Sequence, residues 1–213
     1  MDYHRKEALR YLRAKPDDEA AGILVDTVYL KMRNEVQARH VLQKHKCSVD
    51  ESGVTLDCGV RFNSRGLAKH LEGCEECLLF AATLGMRIDA AIRRLALLSV
   101  AEGAAAQAVG AALIESYCDA VQAKLDTGEL KQRPRFSPGY GDWELSEQKQ
   151  LFAVLDCAKA IGLTLTDGCM MAPSKSVTAV IGLGRDTRCV INKCMTCTKK
   201  DCEYRIKSTT RTI

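Results

Sequence analysis

The chain is poor in the features that would place it in several common classes. Its 213 residues include four prolines and 5% aromatic residues, and no apolar run approaches the roughly 20 residues that span a bilayer. The first residues also lack the apolar stretch of a secretory signal. Collagen-like and low-complexity chains are excluded, and we expect a cytoplasmic protein that does not cross a membrane.

Motifs of the common enzyme classes are missing as well. Residues 182–184 form a lone GxG that lacks a third glycine and opens no helix, so a dinucleotide fold is not supported. The four histidines lack the spacing of metal ligands, and neither a GxSxG nucleophile nor a phosphate loop occurs. We therefore do not expect a hydrolase or a kinase.

Positive charge is concentrated in one short segment. The chain has 31 basic and 27 acidic residues, and residues 185–213 hold eight of the basic and three of the acidic ones. The preceding 184 residues are thus almost neutral and offer no basic face the size of a nucleic-acid groove. Binding to nucleic acid is not expected.

The apolar content of 46% is enough for a folded core. Helices and strands neither alternate strictly nor separate along the chain, which favours an α+β fold with a largely antiparallel sheet. We expect one domain over residues 1–184 and a basic, cysteine-rich tail over 185–213. The predicted elements are helices over 3–13, from 17 onward, over 87–98, 99–125 and 146–160, a hairpin turn at 50–53, and buried strands over 77–82, 163–165 and 177–181.

The long helix carries a face of small residues. Gly103 and Gly110 each cost about 1 kcal/mol relative to alanine, and alanines surround them. Close packing on the sheet is our preferred explanation. The alternative is that the face leaves room for a ligand or for a second helix.

Eleven cysteines are many for a chain expected in a reducing compartment. Cys74-x2-Cys77 has three interpretations: packing between a helix and a strand, which we prefer, a redox pair, or part of a metal site. Flanking acids disfavour a reactive thiolate there. Five further cysteines stand singly and are interpreted as small core residues: Cys47, Cys58, Cys118, Cys157 and Cys169.

The other four cysteines form a compact pattern in the tail. Cys189-x4-Cys194-x2-Cys197-x4-Cys202 has the spacing of a four-thiolate metal site. The surrounding positive charge would offset the thiolates. Zinc and an iron–sulfur cluster both fit the pattern, and unbound thiols are the remaining alternative.

The segment at residues 131–143 predicts a stiff loop that holds functional groups. Two prolines fix the backbone, and Gly139 allows a tight turn or a close backbone approach. Arg135 and Tyr140 would then present a carboxylate-binding fork and an aromatic platform in fixed positions. The backbone of Ser137 is available to a ligand in the same loop.

The blocks of this region occur in a known order. Arg135-x-Ser137-Pro138-Gly139-Tyr140, a helix, residues 162–166 and then Met171-x-Pro173-x-x-Ser176 follow one another. This arrangement resembles the activation domain of cobalamin-dependent methionine synthase over about residues 129–182. Residues 82–85 and the alanine-rich helix resemble free-standing versions of that domain. The resemblance implies a twisted, mainly antiparallel sheet flanked by helices.

The resemblance also implies a binding site for S-adenosylmethionine in a shallow groove across the sheet. Arg135 would bind the methionine carboxylate, and Tyr140 would contact the sulfonium or sugar region. The backbone around Ser137 would meet the adenine, and Gly139 belongs to the same set of ligand-binding residues. Glu129 matches a family acid near the ammonium or ribose. A second acid comes from the preceding helix in the family, and Glu102 is the candidate here, with the uncharged Gln107 as the alternative.

The implied role is reductive reactivation, in which oxidised cob(II)alamin is returned to methylcobalamin by one electron and a methyl group from S-adenosylmethionine. The cobalamin would be carried by a separate corrinoid protein, such as a split methionine synthase or another corrinoid methyltransferase. Flavodoxin or ferredoxin would donate the electron. Whether the chain itself is an enzyme stays open. The alternative is a metal-binding or scaffold subunit of such a system that has lost S-adenosylmethionine binding.

Overall fold

A computed structural model describes residues 3–185 of the chain. The predicted metal ligands Cys189, Cys194, Cys197 and Cys202 lie outside the described residues. None of the helices within residues 3–185 is long and apolar enough to cross a membrane.

The helices begin where the sequence offers caps. Asp18, Ser64 and Ser99 each accept a hydrogen bond from a backbone N–H of the first turn that follows them. The helix expected over 146–160 is instead two helices, because Asp156 takes a left-handed conformation with φ of 46°. The helices are α1 (Arg5–Leu12), α2 (Glu19–Met32), α3 (Arg65–His70), α4 (Met86–Leu98), α5 (Val100–Ala123), α6 (Gln148–Leu155) and α7 (Cys157–Ile161).

All strand pairs within residues 3–185 are antiparallel, so the predicted α+β fold is confirmed. The strands are β1 (Arg39–Asp50), β2 (Gly53–Leu56), β3 (Arg61–Phe62), β4 (Glu76–Thr83), β5 (Lys131–Gln132), β6 (Thr164–Leu165), β7 (Met171–Ala172) and β8 (Ser176–Gly184). Six of them form one sheet in the order β3-β2-β1-β4-β8-β5, and β6 and β7 form a separate hairpin. β8 therefore lies between β4 and the edge strand β5.

Helices cover both faces of the central strands. Because side chains alternate along a strand, Phe80 of β4 faces the core that includes α1, α2, α4 and α5. Its neighbour Leu79 faces the opposite core, which includes α3, α6, α7 and the buried Trp143. The sheet is thus a middle layer, and its two edges remain available for sites.

At its two glycines, the small-residue face of α5 contacts helix α4 and a lysine side chain. A Cβ on Gly103 would lie 2.8 Å from Ala96 Cα of α4, so the close approach of these two helices requires glycine. A Cβ on Gly110 would lie 3.0 Å from Cε of Lys175, whose side chain runs over the helix there. Packing on the sheet, our preferred explanation, is therefore wrong at the two glycines, but buried alanines of the same face lie in the core that includes β4 and β8.

The single cysteines divide into three groups by burial. Cys118 and Cys157 are buried as expected, and burial raises the pKa of Cys157 to about 12. Cys47 and Cys169 are only partly buried. Cys58 is exposed in the turn after β2, so its interpretation as a core residue is wrong. Cys74 and Cys77 are buried beside β4, in agreement with a packing role.

Candidate ligand-binding site

The loop at residues 133–147, here called the arginine loop, continues the sheet beyond β5. The amide of Arg133 donates to the carbonyl of Gly182 at 2.8 Å. Phe136 and Val180 exchange two backbone hydrogen bonds of 2.9 and 2.8 Å. The loop is therefore an irregular edge strand fixed to β8, and the predicted stiffness has a second cause besides proline.

Arg135 reaches from this loop to one face of α5. Its Nη2 donates to Glu115 at 2.9 Å and to Asp119 at 2.7 Å, and its Nη1 donates to Gln122 at 3.0 Å. Residues 115, 119 and 122 are four and three positions apart, so they share a helix face. Burial disfavours the charged guanidinium, but the bond to Asp119 and the nearby acids outweigh it and raise the pKa of Arg135.

The cation is covered while its acidic partners are open to solvent. The side chain of Arg135 is 7% exposed, against 35% for Glu115 and 60% for Asp119. Its three hydrogen bonds use three of the five N–H groups of a guanidinium. An open depression of about 440 Å³ begins at Asp119. It is lined by Asp119, Gln122, Ala123, Thr127, Lys131 and Gln132.

The turn at residues 137–140 is closed by its own backbone. Gly139 has a φ of +90°, a conformation that favours glycine, and its amide donates to the carbonyl of Trp143 at 2.7 Å. The carbonyl of Ser137 accepts from the amide of Tyr140 at 3.1 Å, so it is already engaged once. The Tyr140 side of the turn faces solvent, with 39% of that residue exposed.

Asp142 ties the loop to the start of α3. Its carboxylate accepts from the Ser64 hydroxyl at 2.7 Å and from the amides of Arg65 and Gly66 at 2.8 and 2.9 Å. These bonds, led by that of Ser64, lower the pKa of Asp142. One acid from the loop therefore satisfies the N-terminal donors of a helix far away in sequence.

Trp143 anchors the same loop in the core. It is 1% exposed, and its ring lies 5.2 Å from that of Phe62 and 6.1 Å from that of Phe136. Its Nε1 donates to Glu147 at 2.8 Å, so the buried indole N–H is satisfied. The arginine loop is thereby held at both ends and in its middle.

The residues predicted for the site fall into three places. Arg135, Ser137, Gly139 and Tyr140 lie together in the arginine loop. Glu129 is exposed in the turn just ahead of β5. Glu102 lies in the first turn of α5, where it accepts from Lys31 at 2.7 Å.

Glu102 is not brought to the arginine. It lies thirteen residues before Glu115, or about 20 Å along the helix axis. The acids that do meet Arg135, Glu115 and Asp119, were missed by sequence reasoning. Their spacing of four on a helix whose other side is apolar was the signal available, but it does not indicate which turn of α5 faces the loop.

A thiol-rich region lies at the other side of the sheet. The Sγ of Cys47 on β1 donates to the carbonyl of Cys74 at 3.5 Å. A hydrogen bond between the thiols of Cys47 and Cys77 lowers the pKa of Cys47 and, together with burial, raises that of Cys77. None of the seven cysteines within residues 3–185 forms a disulfide.

Part of the chain matches a known family of domains. Residues 113–204 match the sequence model of the family described as vitamin B12 dependent methionine synthase, activation domain. That range begins within α5, contains both acids and the whole arginine loop, and extends beyond β8. The family resemblance seen in the sequence is confirmed.

A solved structure has the same fold. The chain is similar to a protein described as the MetH reactivation domain bound to AdoHcy, with a TM-score of 0.63 and 16% sequence identity. The similarity covers 84% of this chain and 70% of that one. The comparison with curated proteins finds no match.

Proposed function

We propose that the chain binds S-adenosylmethionine at the arginine loop and serves in the reductive reactivation of a corrinoid protein in methionine biosynthesis. The observation that carries this proposal is the cation of Arg135, which two partly exposed acids hold, one of them, Asp119, in the wall of an open depression. The family match includes these residues, and the structurally similar domain is described with bound AdoHcy.

The charges of the site suit the amino-acid part of that ligand. A zwitterion needs a cation for its carboxylate and an acid for its ammonium group. The N–H groups of Arg135 that no acid engages would bind the carboxylate. Asp119, the more exposed acid, would bind the ammonium group, and Glu115 would hold the guanidinium in position.

The remaining predicted residues would contact the other parts of the ligand. The exposed ring of Tyr140 would face the sulfonium, as aromatic rings do for cations. The backbone at Ser137 and Gly139 would approach the adenine, and Glu129 would serve the ribose. We propose Glu115 and Asp119, rather than Glu102, as the helical acids.

No side chain of the site needs to act as a general acid or base. Cobalamin would be carried by a partner such as a split methionine synthase. Its cobalt would accept the methyl group and one electron, and a flavodoxin or ferredoxin would donate that electron. The residues of this chain orient the methyl donor and exclude water from it. We expect this system in the reducing cytoplasm, because none of the seven cysteines within residues 3–185 forms a disulfide.

Calorimetric titration with S-adenosylmethionine and S-adenosylhomocysteine tests the proposal. Arg135→Ala should weaken binding by about 2 kcal/mol or more, which is about 30-fold, because a charged hydrogen-bond partner is lost. Arg135→Lys should restore only part of the affinity. Glu144→Gln, an exposed acid of the same loop outside the depression, is the matched control and should bind as the wild type does.

One observation favours a second candidate, a scaffold subunit without ligand binding. The protein's own acids already engage Arg135, and only 7% of its side chain is exposed. In that case neither compound binds the wild type at millimolar concentration, and the binding proposal fails.

The tail cysteines remain a separate proposal. Cys189, Cys194, Cys197 and Cys202 would bind zinc or an iron–sulfur cluster. Replacing Cys194 and Cys197 by serine should abolish stoichiometric metal, measured by elemental analysis and visible spectra of anaerobically purified protein. Residues 1–184 should stay folded in this variant. If the whole chain unfolds instead, the metal stabilises the entire domain.

A further inference from the structure

The edge of the sheet opposite the arginine loop brings three metal-binding side chains together. This hairpin edge consists of β1, β2, β3 and the turn at residues 57–60. The amide of Asp57 donates to the carbonyl of Lys46 at 3.0 Å, so the turn after β2 folds back along β1. As a result His45 of β1 meets Asp57, with 2.7 Å between Nδ1 and Oδ1.

Cys58 completes the group because it follows Asp57 directly in the turn. A ring nitrogen of His45, a carboxylate oxygen of Asp57 and the Sγ of Cys58 all lie within 4.8 Å of one another. A tetrahedral site with bonds of about 2.0–2.3 Å places its ligand atoms about 3.5 Å apart. The 2.7 Å between Nδ1 and Oδ1 is shorter than this and must lengthen, so binding requires the exposed side chains of Asp57 and Cys58 to rotate.

The histidine is held in place and incompletely satisfied. Its side chain is 12% exposed, and its Nε2 is buried without a hydrogen-bond partner. The ring nitrogen that faces Asp57 is Nδ1, at 2.7 Å, so Nδ1 is the atom that would bind the ion, and the buried Nε2 would stay without a partner. Asp57 and Cys58 are exposed, so an ion can enter from solvent.

The donor set selects the kind of ion. Imidazole, carboxylate and thiolate together suit zinc and its cobalt(II) substitute, whereas magnesium and calcium prefer oxygen ligands alone. Three protein ligands leave a fourth position for an exchangeable one. We propose that His45, Asp57 and Cys58 form a three-ligand site for a zinc-like divalent metal, with its fourth position open to solvent.

This site is separate from the one proposed for S-adenosylmethionine. β1 and β5 are three strand spacings apart in the sheet, which is about 14 Å. Its test therefore needs no methyl donor, and the two proposals can fail independently.

The test is a cobalt(II) titration of the reduced, anaerobic full-length chain. The background carries serine at Cys189, Cys194, Cys197 and Cys202, so that the tail cannot compete. We expect one equivalent of cobalt with a thiolate charge-transfer band. Cys58→Ser should remove the band, and His45→Gln and Asp57→Asn should each weaken binding by at least about tenfold.

Cys169→Ser is the matched control, because Cys169 is also partly exposed but lies in the β6–β7 hairpin. It should keep both the band and the affinity. A band that persists in Cys58→Ser would place the metal on other thiols and overturn the proposal, as would the absence of cobalt binding at millimolar concentration. If the serine background does not fold, Cys58→Ser is made in the chain that keeps all other cysteines. This variant should then bind one equivalent of metal less than the wild type.

Discussion

The two edges of the sheet differ in how their charged and polar side chains are paired. At the arginine loop, two acids and an amide on a neighbouring helix accept three hydrogen bonds from a covered cation. At the hairpin edge, His45 keeps a buried nitrogen without a partner beside an exposed acid and thiol. The first edge is suited to a ligand that carries both charges, and the second to a single cation.

The largest effect should come from removing the anchor of the arginine loop. Trp143→Ala should lower the free energy of unfolding by about 3–5 kcal/mol, because a fully buried ring leaves a cavity. Chemical denaturation followed by circular dichroism measures it, because the variant has no tryptophan left for fluorescence. Where the variant stays folded, binding of S-adenosylmethionine should fall while cobalt binding at the hairpin edge stays unchanged. A loss below 1 kcal/mol would mean that the loop does not depend on this anchor.

A substitution in β8, between the two edges, should lower the stability of the fold. A Cβ on Gly182 would lie 2.6 Å from Leu71 Cδ2, 2.9 Å from Cys74 Sγ and 3.3 Å from Arg133 Cδ. Gly182→Ala should therefore cost about 1–3 kcal/mol of stability by overpacking. Gly168→Ala is the control, because no atom lies within 4 Å of its added Cβ, and its stability should not decrease. Equal stabilities for the two variants would contradict the packing described here.

A smaller effect is expected at the acid that joins the loop to α3. Asp142→Ala should cost about 1 kcal/mol at pH 7, because the amides of Arg65 and Gly66 and the Ser64 hydroxyl lose their acceptor. The folded pKa of Asp142 lies below its ordinary value of 3.8, so its contribution is complete above that pH and is lost as the pH falls through the folded pKa. The difference between wild type and variant, measured by denaturation at pH 7 and at pH 3, should shrink at the lower pH. A difference that grows at pH 3 would contradict this assignment.

The smallest effect should be that of Glu102→Gln. The residue forms a partly exposed ion pair with Lys31, so stability should change by less than about 1 kcal/mol. Affinity for S-adenosylmethionine, measured by calorimetry, should stay within about twofold of the wild type. A tenfold loss would instead support Glu102 as the helical acid that the family resemblance implies.

Elements with strong local signals could be predicted from the sequence. Ser99 marked the start of α5, and Asp50 to Gly53 marked the turn between β1 and β2. Strands of two residues, such as β3 and β5, are too short to show alternation, so their pairing depends on distant partners. The break at Asp156 was missed because a left-handed conformation at a residue other than glycine is imposed by its surroundings.

The sites show the same division between local and distant information. Arg135 and Tyr140 belong to one contiguous motif, and the motif indicated a binding loop. Which turn of α5 would face the loop depends on how the helix crosses the sheet, so Asp119 could not be identified. The sequence around His45 shows no spacing typical of metal ligands, because the residues that meet His45 come from the turn after the adjacent strand.

The position of β8 between β4 and β5 sets the order in which the protein can be built during synthesis. The chain makes β5 and the arginine loop first, but the strand that holds them beside β4 is translated about 40 residues later. Until residues 176–184 emerge, β4 presents an unpaired edge and the arginine loop has no strand to pair with. Completion of the last strand of this sheet therefore assembles the proposed ligand site and protects the exposed edge in a single step.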